Sequence, residues 1–188
     1  MTTLILIFFV FYGTYLDKEG GLVLLFFPLN NKVITMSATI SKEEKENLIA
    51  PIKGTITSYY NTRLHPVFKV KKKHNGMDIS GSWHDKVKAI KEGKVVAAGV
   101  DEGYGNHILL KHGDNFYSFY AHLSKIKVKK NKKVKAGQII ALEGGDPYRD
   151  KNHGISTGHH LHFEIRTSES IEDSVDPLLF FEEKDFNP

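Results

Sequence analysis

The sequence predicts an all-β domain of antiparallel strands, preceded by a short helix. Three observations carry that expectation. Short runs that alternate apolar and polar residues recur along the chain, separated by Gly, Asn and Asp, as in "GTITSYY", "KVKAIKEGKVVAAGV", "NHILLKHGDNFYSFYAHL" and "HLHFEIR". Strands at regular spacing with turn residues between them are the mark of a β architecture. Residues 85–99, "DKVKAIKEGKVVAAG", are echoed by 132–144, "KKVKAGQIIALEG", each placing Val-Lys-Ala before a β run that ends in glycine. A repeated hairpin unit in a barrel or sandwich explains that echo. Finally, "HLHFEI" has period two, so His160, His162 and Glu164 share one face of a strand while Leu161, Phe163 and Ile165 share the other.

From the N-terminus, residues 1–35 hold two strongly apolar runs, "LILIFFVFYGTYL" and "GLVLLFFPL", with Asp17, Lys18 and Glu19 between them. Neither run reaches the ~20 residues of a spanning helix. The basic start and small-residue cleavage site of an export signal are also missing. An export signal or anchor, an element of the fold, and translated sequence upstream of the working start all remain readings. Met36 opens "MSATISKEEKENL", the texture of an ordinary soluble N-terminus, which favours the third. Residues 36–50 form the lead-in, with a helix over 40–49 capped by Ser41. The β domain is expected over 51–180. Within it, Gly113, Asp114 and Asn115 make a hairpin turn, and the lysine-rich "KIKVKKNKKVK" (125–135) reads as a solvated hairpin turning at Asn131.

The 188 residues are 40% hydrophobic and 26% charged, which suits one globular domain with a real core. There is no cysteine. Disulfides, thiolate metal sites and a Cys nucleophile are therefore excluded. Any metal must be held by His, Asp or Glu, a donor set that suits zinc. The formal charge of +4 and an isoelectric point near 9.0 favour anionic partners only mildly.

Ten histidines are present. "HNGMDI" supplies His74 and Asp78, "YAHLS" supplies His122, and "HLH" supplies His160 and His162. Three protein ligands with one position left open is the pattern of catalytic zinc. Spacing alone leaves open which of His160 and His162 would bind a metal. His65, His84, His107, His112 and His153 join no constellation and read as structural or solvated.

Taken in order, "RLHP" (63–66), "HNGMDIS" (74–80), "VKAIKEGKVVAAG" (87–99), "GYGNHILLKHG" (103–113), "YAHLS" (120–124), "VKAGQIIALEG" (134–144) and "STGHHLHFE" (156–164) resemble the M23 family of zinc metallopeptidases, the lysostaphin and LytM type that cut peptidoglycan peptides. The ordered set covers roughly residues 50–166. The resemblance implies a lysostaphin-type fold, a sandwich-like antiparallel β domain with an open groove, and one zinc per chain, held by His74, Asp78 and His162. It makes His122 and His160 the catalytic pair and peptidoglycan stem or cross-bridge peptides the substrate, with no nucleic-acid partner. It also implies action outside the cytoplasm or in a phage particle. Arg63 would then line the groove, and Glu164 would support His162 or form a strand-edge ion pair. Tyr104 reads as a groove or turn aromatic and Ser156 as a loop residue.

The family usually has Pro where this chain has His159, which alternation turns away from His160 and His162. Asp85 and Asn131 stand where relatives often have Gly, and both tolerate a left-handed backbone. Other readings are a non-catalytic member that binds wall or activates another hydrolase, a structural phage component, and a lipoyl-like carrier suggested by "DKVKA". The carrier leaves the histidines unexplained. The apolar N-terminal runs leave membrane association open.

Overall fold

The computed structural model describes residues 14–16, 22–24, 47–64 and 71–187. By contact the chain divides into two units, Met1–Glu46 and Asn47–Pro188. In the first, β1 (Thr14–Leu16) and β2 (Leu22–Leu24) pair as an antiparallel hairpin, with Thr14 opposite Leu24. These fragments come from the two apolar runs. The expected helix over 40–49 falls mostly outside the described residues. Its last positions form a turn at Asn47 and then irregular chain, and the Ile49 N–H donates to the Ile90 carbonyl at 2.9 Å.

The second unit is all β, apart from short 3-10 turns at 171–173, 177–179 and 183–185. Its strands are β3 (Thr55–Ser58), β4 (Asn61–Leu64), β5 (Lys71–His74), β6 (Met77–Ser80), β7 (Lys86–Lys88), β8 (Gly93–Asp101) and β9 (Gly105–Gly113). They continue through β10 (Phe116–Ala121), β11 (Leu123–Ile126), β12 (Lys133–Val134), β13 (Ile139–Glu143), β14 (Leu161–Arg166) and β15 (Ser174–Val175). The main sheet runs β12-β8-β9-β10-β14-β6-β3, with β15 joined to β14. A smaller sheet runs β11-β13-β7, and β4 pairs with β5.

Alternation decides the core. Leu161, Phe163 and Ile165 of β14 are fully or almost fully buried, as are Val95, Ile108, Leu110, Tyr120, Ile79 and Ile140 on neighbouring strands. The hairpin expected at 113–115 is present, with Asn115 in the left-handed region at φ 57°. The lysine-rich stretch turns at Asn131, φ 72°, but is not a hairpin. Its arms enter different sheets: β11 pairs with β13 and β12 pairs with β8. The two echoed segments account for this. Each gives a short strand followed by a longer one, and each short strand pairs with the other segment's long strand, β7 with β13 and β12 with β8. At the other Gly-like position the left-handed residue is His84, φ 74°, rather than Asp85. The Asp85 carboxylate accepts the Ser82 N–H at 2.7 Å and closes that turn from its side chain instead.

One histidine outside the site ties pH to stability. His112 Nδ1 lies 2.8 Å from the Glu92 carbonyl, and Nε2 lies 2.6 Å from the Ser118 hydroxyl. Burial pushes its pKa down to about 4, against a weaker upward pull from the Glu92 carbonyl. The folded state thus resists protonation. The stability this group contributes is complete above its ordinary pKa near 6.5 and is lost as pH falls through about 4. Urea midpoints measured from pH 7 down to 4 should fall, with up to about 3 kcal/mol traceable to this ring. The decline should be shallower in His112→Gln.

Candidate metal centre

Strand register makes the site. Asp78 on β6 and His162 on β14 are direct cross-strand partners, so their side chains emerge on one face. His74 ends β5, and the chain returns to Asp78 through Asn75 and Gly76. Gly76 is needed there by close approach: a Cβ at this position would sit 2.4 Å from the Phe163 carbonyl oxygen of β14. The spacing His-x3-Asp therefore reflects a tight link laid across the strand that carries His162.

His74 Nε2, Asp78 Oδ1 and His162 Nδ1 form a triangle with sides of 3.0, 3.1 and 2.9 Å. All three residues are buried. Donors tetrahedrally arranged around zinc at its usual bond lengths stand about 3.3 Å apart, so the set fits such an ion closely. The hydrogen bonds on the far side of each ring agree. His74 Nδ1–H donates to the Tyr59 carbonyl at 2.8 Å, and His162 Nε2–H donates to Glu164 Oε1 at 2.9 Å. In the neutral rings that would hold an ion, those partners assign the tautomers and leave a lone pair on the inward nitrogen of each. Two lone pairs and a carboxylate oxygen converging at this distance demand a shared positive charge. In the absence of an ion a proton meets that demand: burial would raise the Asp78 carboxyl, but hydrogen bonds from the rings of His162 and His74, once they carry that proton, hold it far below the usual carboxylate range. The same field lifts His162: burial lowers its pKa, yet contacts with Asp78 and Glu164 push it up to about 9. His74, Asp78 and His162 thus form a site able to hold a metal ion, and they are the one such group of His, Asp and Glu among the described residues.

His122 and His160 flank the triangle, their rings 4.9 Å apart. His160 Nε2 is 3.8 Å from Asp78 Oδ1, outside the triangle. Its Nδ1–H donates to the Gly158 carbonyl at 2.9 Å, and that of His122 donates to the His153 carbonyl at 2.8 Å. Nε2 is therefore the unprotonated nitrogen of both. Burial first, then the neighbouring imidazoles, pushes the His122 pKa down to about 3. Burial also lowers that of His160. His122 sits at φ 56°, a left-handed backbone unusual for a side-chain-bearing residue.

Behind His162 lies a buried carboxylate. Glu164 accepts from Arg166 Nε at 2.6 Å and from the Tyr104 hydroxyl at 2.9 Å, and the Arg166 guanidinium lies 4.1 Å over the Phe119 ring. Burial would raise Glu164, but His162 and Arg166 hold it below its ordinary value. Glu164 is thus an interior support rather than a strand-edge ion pair. Replacing Arg166 with Met should leave that buried carboxylate without its guanidinium, held only by His162 and the Tyr104 hydroxyl, at a cost of about 3 kcal/mol in a urea melt. Adding Glu164→Gln to Arg166→Met should recover most of the loss.

An open groove of about 400 Å³ runs over the triangle, with Thr57, Lys73, Asp101, Tyr104 and Ile171 along its walls. His159 turns away from the metal ligands, with Nδ1 3.5 Å from Glu143 Oε1. Ser156 is a loop residue whose hydroxyl donates to the Gly158 carbonyl at 2.7 Å, below His160. Arg63 lies on β4, and His65 lies outside the described residues. Sequence reasoning missed the carbonyls of Tyr59, His153 and Gly158, because a backbone acceptor leaves no residue signature. It also missed Arg166, which the period-two pattern through His160, His162 and Glu164 does signal.

Residues 72–177 match the profile of peptidase family M23. Over 138 residues the chain is 39% identical to outer membrane antigenic lipoprotein B of Haemophilus influenzae, covering 71% of this chain and 31% of that one. Over 114 residues it is 40% identical to peptidoglycan DD-endopeptidase ShyA of Vibrio cholerae, covering 60% and 25%. Over 112 residues it is 39% identical to murein hydrolase activator NlpD of Escherichia coli, covering 59% and 27%. The chain thus spans between 25% and 31% of these relatives' length. Among solved structures, the catalytic domain of lysostaphin from Staphylococcus simulans superimposes with a TM-score of 0.59 at 34% identity, covering 74% of this chain and 96% of that one. A zinc-containing peptidase from Vibrio cholerae gives 0.60 at 28% identity, covering 87% and 44%.

Proposed function

The chain belongs to peptidase family M23, and on that footing we propose that it is a zinc-dependent endopeptidase that hydrolyses peptide bonds in the stem or cross-bridge peptides of peptidoglycan. One observation carries the reading: the ligand triangle and both neutral flanking histidines are complete and open onto one groove.

His74, Asp78 and His162 would hold the ion. A bound zinc polarises the scissile carbonyl and lowers the pKa of water toward neutrality. His160 and His122 supply the proton traffic. Each is neutral, His122 buried and His160 half-buried, with Nδ1–H anchored on a carbonyl, so each offers Nε2 to the groove. One accepts the proton of the attacking water. As an imidazolium it then returns that proton to the leaving amine nitrogen, while the other, whose Nε2 also carries a lone pair, accepts a hydrogen bond from the attacking water and holds it in place. Glu164 keeps the His162 ring oriented throughout. Hydrolysis of a wall peptide implies action outside the cytoplasm, in the cell envelope or from a phage particle.

A second reading is activation of another wall hydrolase, favoured by the murein hydrolase activator among the relatives. Incubating the purified chain with peptidoglycan of several wall types, with and without a chelator, and counting new free amino groups tests both. The endopeptidase reading expects chelator-sensitive release. A folded, zinc-binding protein that releases nothing alone, yet accelerates an added wall hydrolase, would replace it with the activator reading.

A further inference from the structure

The main sheet carries a charge arrangement that the groove does not use. Lys133 of β12 is the direct cross-strand partner of Lys94 on β8, and Lys94 is the partner of Lys111 on β9. Three ammonium groups therefore stand in one row across three adjacent strands, on the face opposite buried Val134, Val95 and Leu110. Like charges directly opposite on a sheet oppose its pairing. Among the described residues no carboxylate stands within ion-pair distance of any of the three; Lys111 lies only over the Tyr117 ring, at 5.8 Å. The row continues into residues 125–135, where all seven lysines are exposed. A fold gains nothing from such crowding, so an anion outside the fold is the natural counterpart.

The surface is also apart from the metal centre. Asp101, at the far end of the same strand, lines the groove, and Lys94 is seven residues back along β8, about 23 Å away at strand rise. One polymer could occupy both places. Its chemistry is narrowed by what the row lacks. The large exposed apolar side chains Ile49, Tyr59, Val100, Tyr148 and Ile155 lie outside it, so nothing there would enter a bilayer. Nor does the 125–135 segment contain an aromatic ring on which a nucleobase could stack.

We infer that the Lys94, Lys111 and Lys133 row and its flanking lysines form a second surface, which docks the protein on intact peptidoglycan through the free carboxylates of its stem peptides. This rests on the proposed substrate. It adds that retention on the insoluble wall is electrostatic and separate from the groove. Retention should weaken with salt, because exposed charges are screened over about 10 Å at moderate ionic strength.

The test sediments the zinc-loaded full chain with purified sacculi stripped of attached polymers, at low and high salt. Lys94→Gln, Lys111→Gln and Lys133→Gln together should lower the bound fraction about tenfold at low salt. The triple variant should melt no lower than the parent, and its cleavage of a soluble cross-linked muropeptide should be unchanged. The parent should lose the same retention on sacculi whose carboxyls have been amidated. Lys127→Gln with Lys129→Gln, outside any strand, should give a smaller loss without touching the sheet. Undiminished sedimentation of the triple variant, or of the parent on amidated sacculi, overturns the inference. So does tighter capture by anionic lipid vesicles or single-stranded DNA than by sacculi. A parent that sediments as expected but cleaves no muropeptide sinks the endopeptidase reading and leaves this surface standing.

Discussion

His160→Ala should leave the metal bound and reduce peptide hydrolysis by roughly 10²–10⁴-fold, the usual contribution of a positioned general acid–base group. The two halves of that result separate for a geometric reason. His160 Nε2 stands 3.8 Å from Asp78 Oδ1, while the three ligand atoms lie 2.9–3.1 Å from one another. Removing the His160 ring therefore takes nothing from the triangle. Metal content by elemental analysis should stay at one equivalent while turnover collapses. A variant that lost its metal as well would make His160 a ligand and overturn its assignment. His122→Ala should behave alike. The double variant should fall little below either single one, because groups that act as a unit are not additive.

Asp78→Ala should produce the opposite pairing: no stoichiometric metal and no activity beyond background. Asp78 is the one anionic member of the triangle, and both histidines contact it. With it gone, two neutral imidazoles remain, a donor set of low affinity. Elemental analysis after dialysis reads the metal, and free-amine release reads the activity. Fold should survive, since the change removes a buried carboxylate together with the charge that needs it. Asp78→Ala that still held zinc and turned over would remove Asp78 from the ligand set. A chelated parent should match this variant in activity, and adding zinc back should restore only the parent.

Much of the architecture can be read in advance because strands carry period-two signals that turn residues interrupt. The alternation in 160–166 separates the buried Leu161, Phe163 and Ile165 from a face bearing His162 and Glu164. The Gly113 to Asn115 turn is legible because few residues accept φ 57° there. Partner choice is not legible. Nothing local to Lys125–Lys135 says that its arms leave for different sheets, since register is a property of the partner strand. Asp85 shows a related limit: a left-handed turn can be filled by the residue before it while the Asp closes the loop by its side chain.

For the site, residue types were visible and their convergence was not. His74 and Asp78 are close in sequence, but His162 arrives from 84 residues beyond Asp78 through β6–β14 register. Spacing could not distinguish His160 from His162, because both belong to one alternating run. Their different surroundings do so physically: a Glu164 carboxylate behind one ring, a Gly158 carbonyl behind the other.

The exchange of strands between the two echoed segments has a consequence for how the chain folds. Neither segment can close on itself as a local hairpin, since β7 waits for β13 and β8 must receive β12. Every one of those pairings spans a long stretch of chain, so loop-closure entropy is met before any contact rewards it. High contact order of this kind puts folding in the millisecond-to-second range rather than microseconds. It also makes the two segments a single cooperative block. A cut between them, or a shortening of either, should melt both together rather than leave one half ordered. Hydrogen exchange should report a single opening free energy for Val87, Val95, Val134 and Ile140.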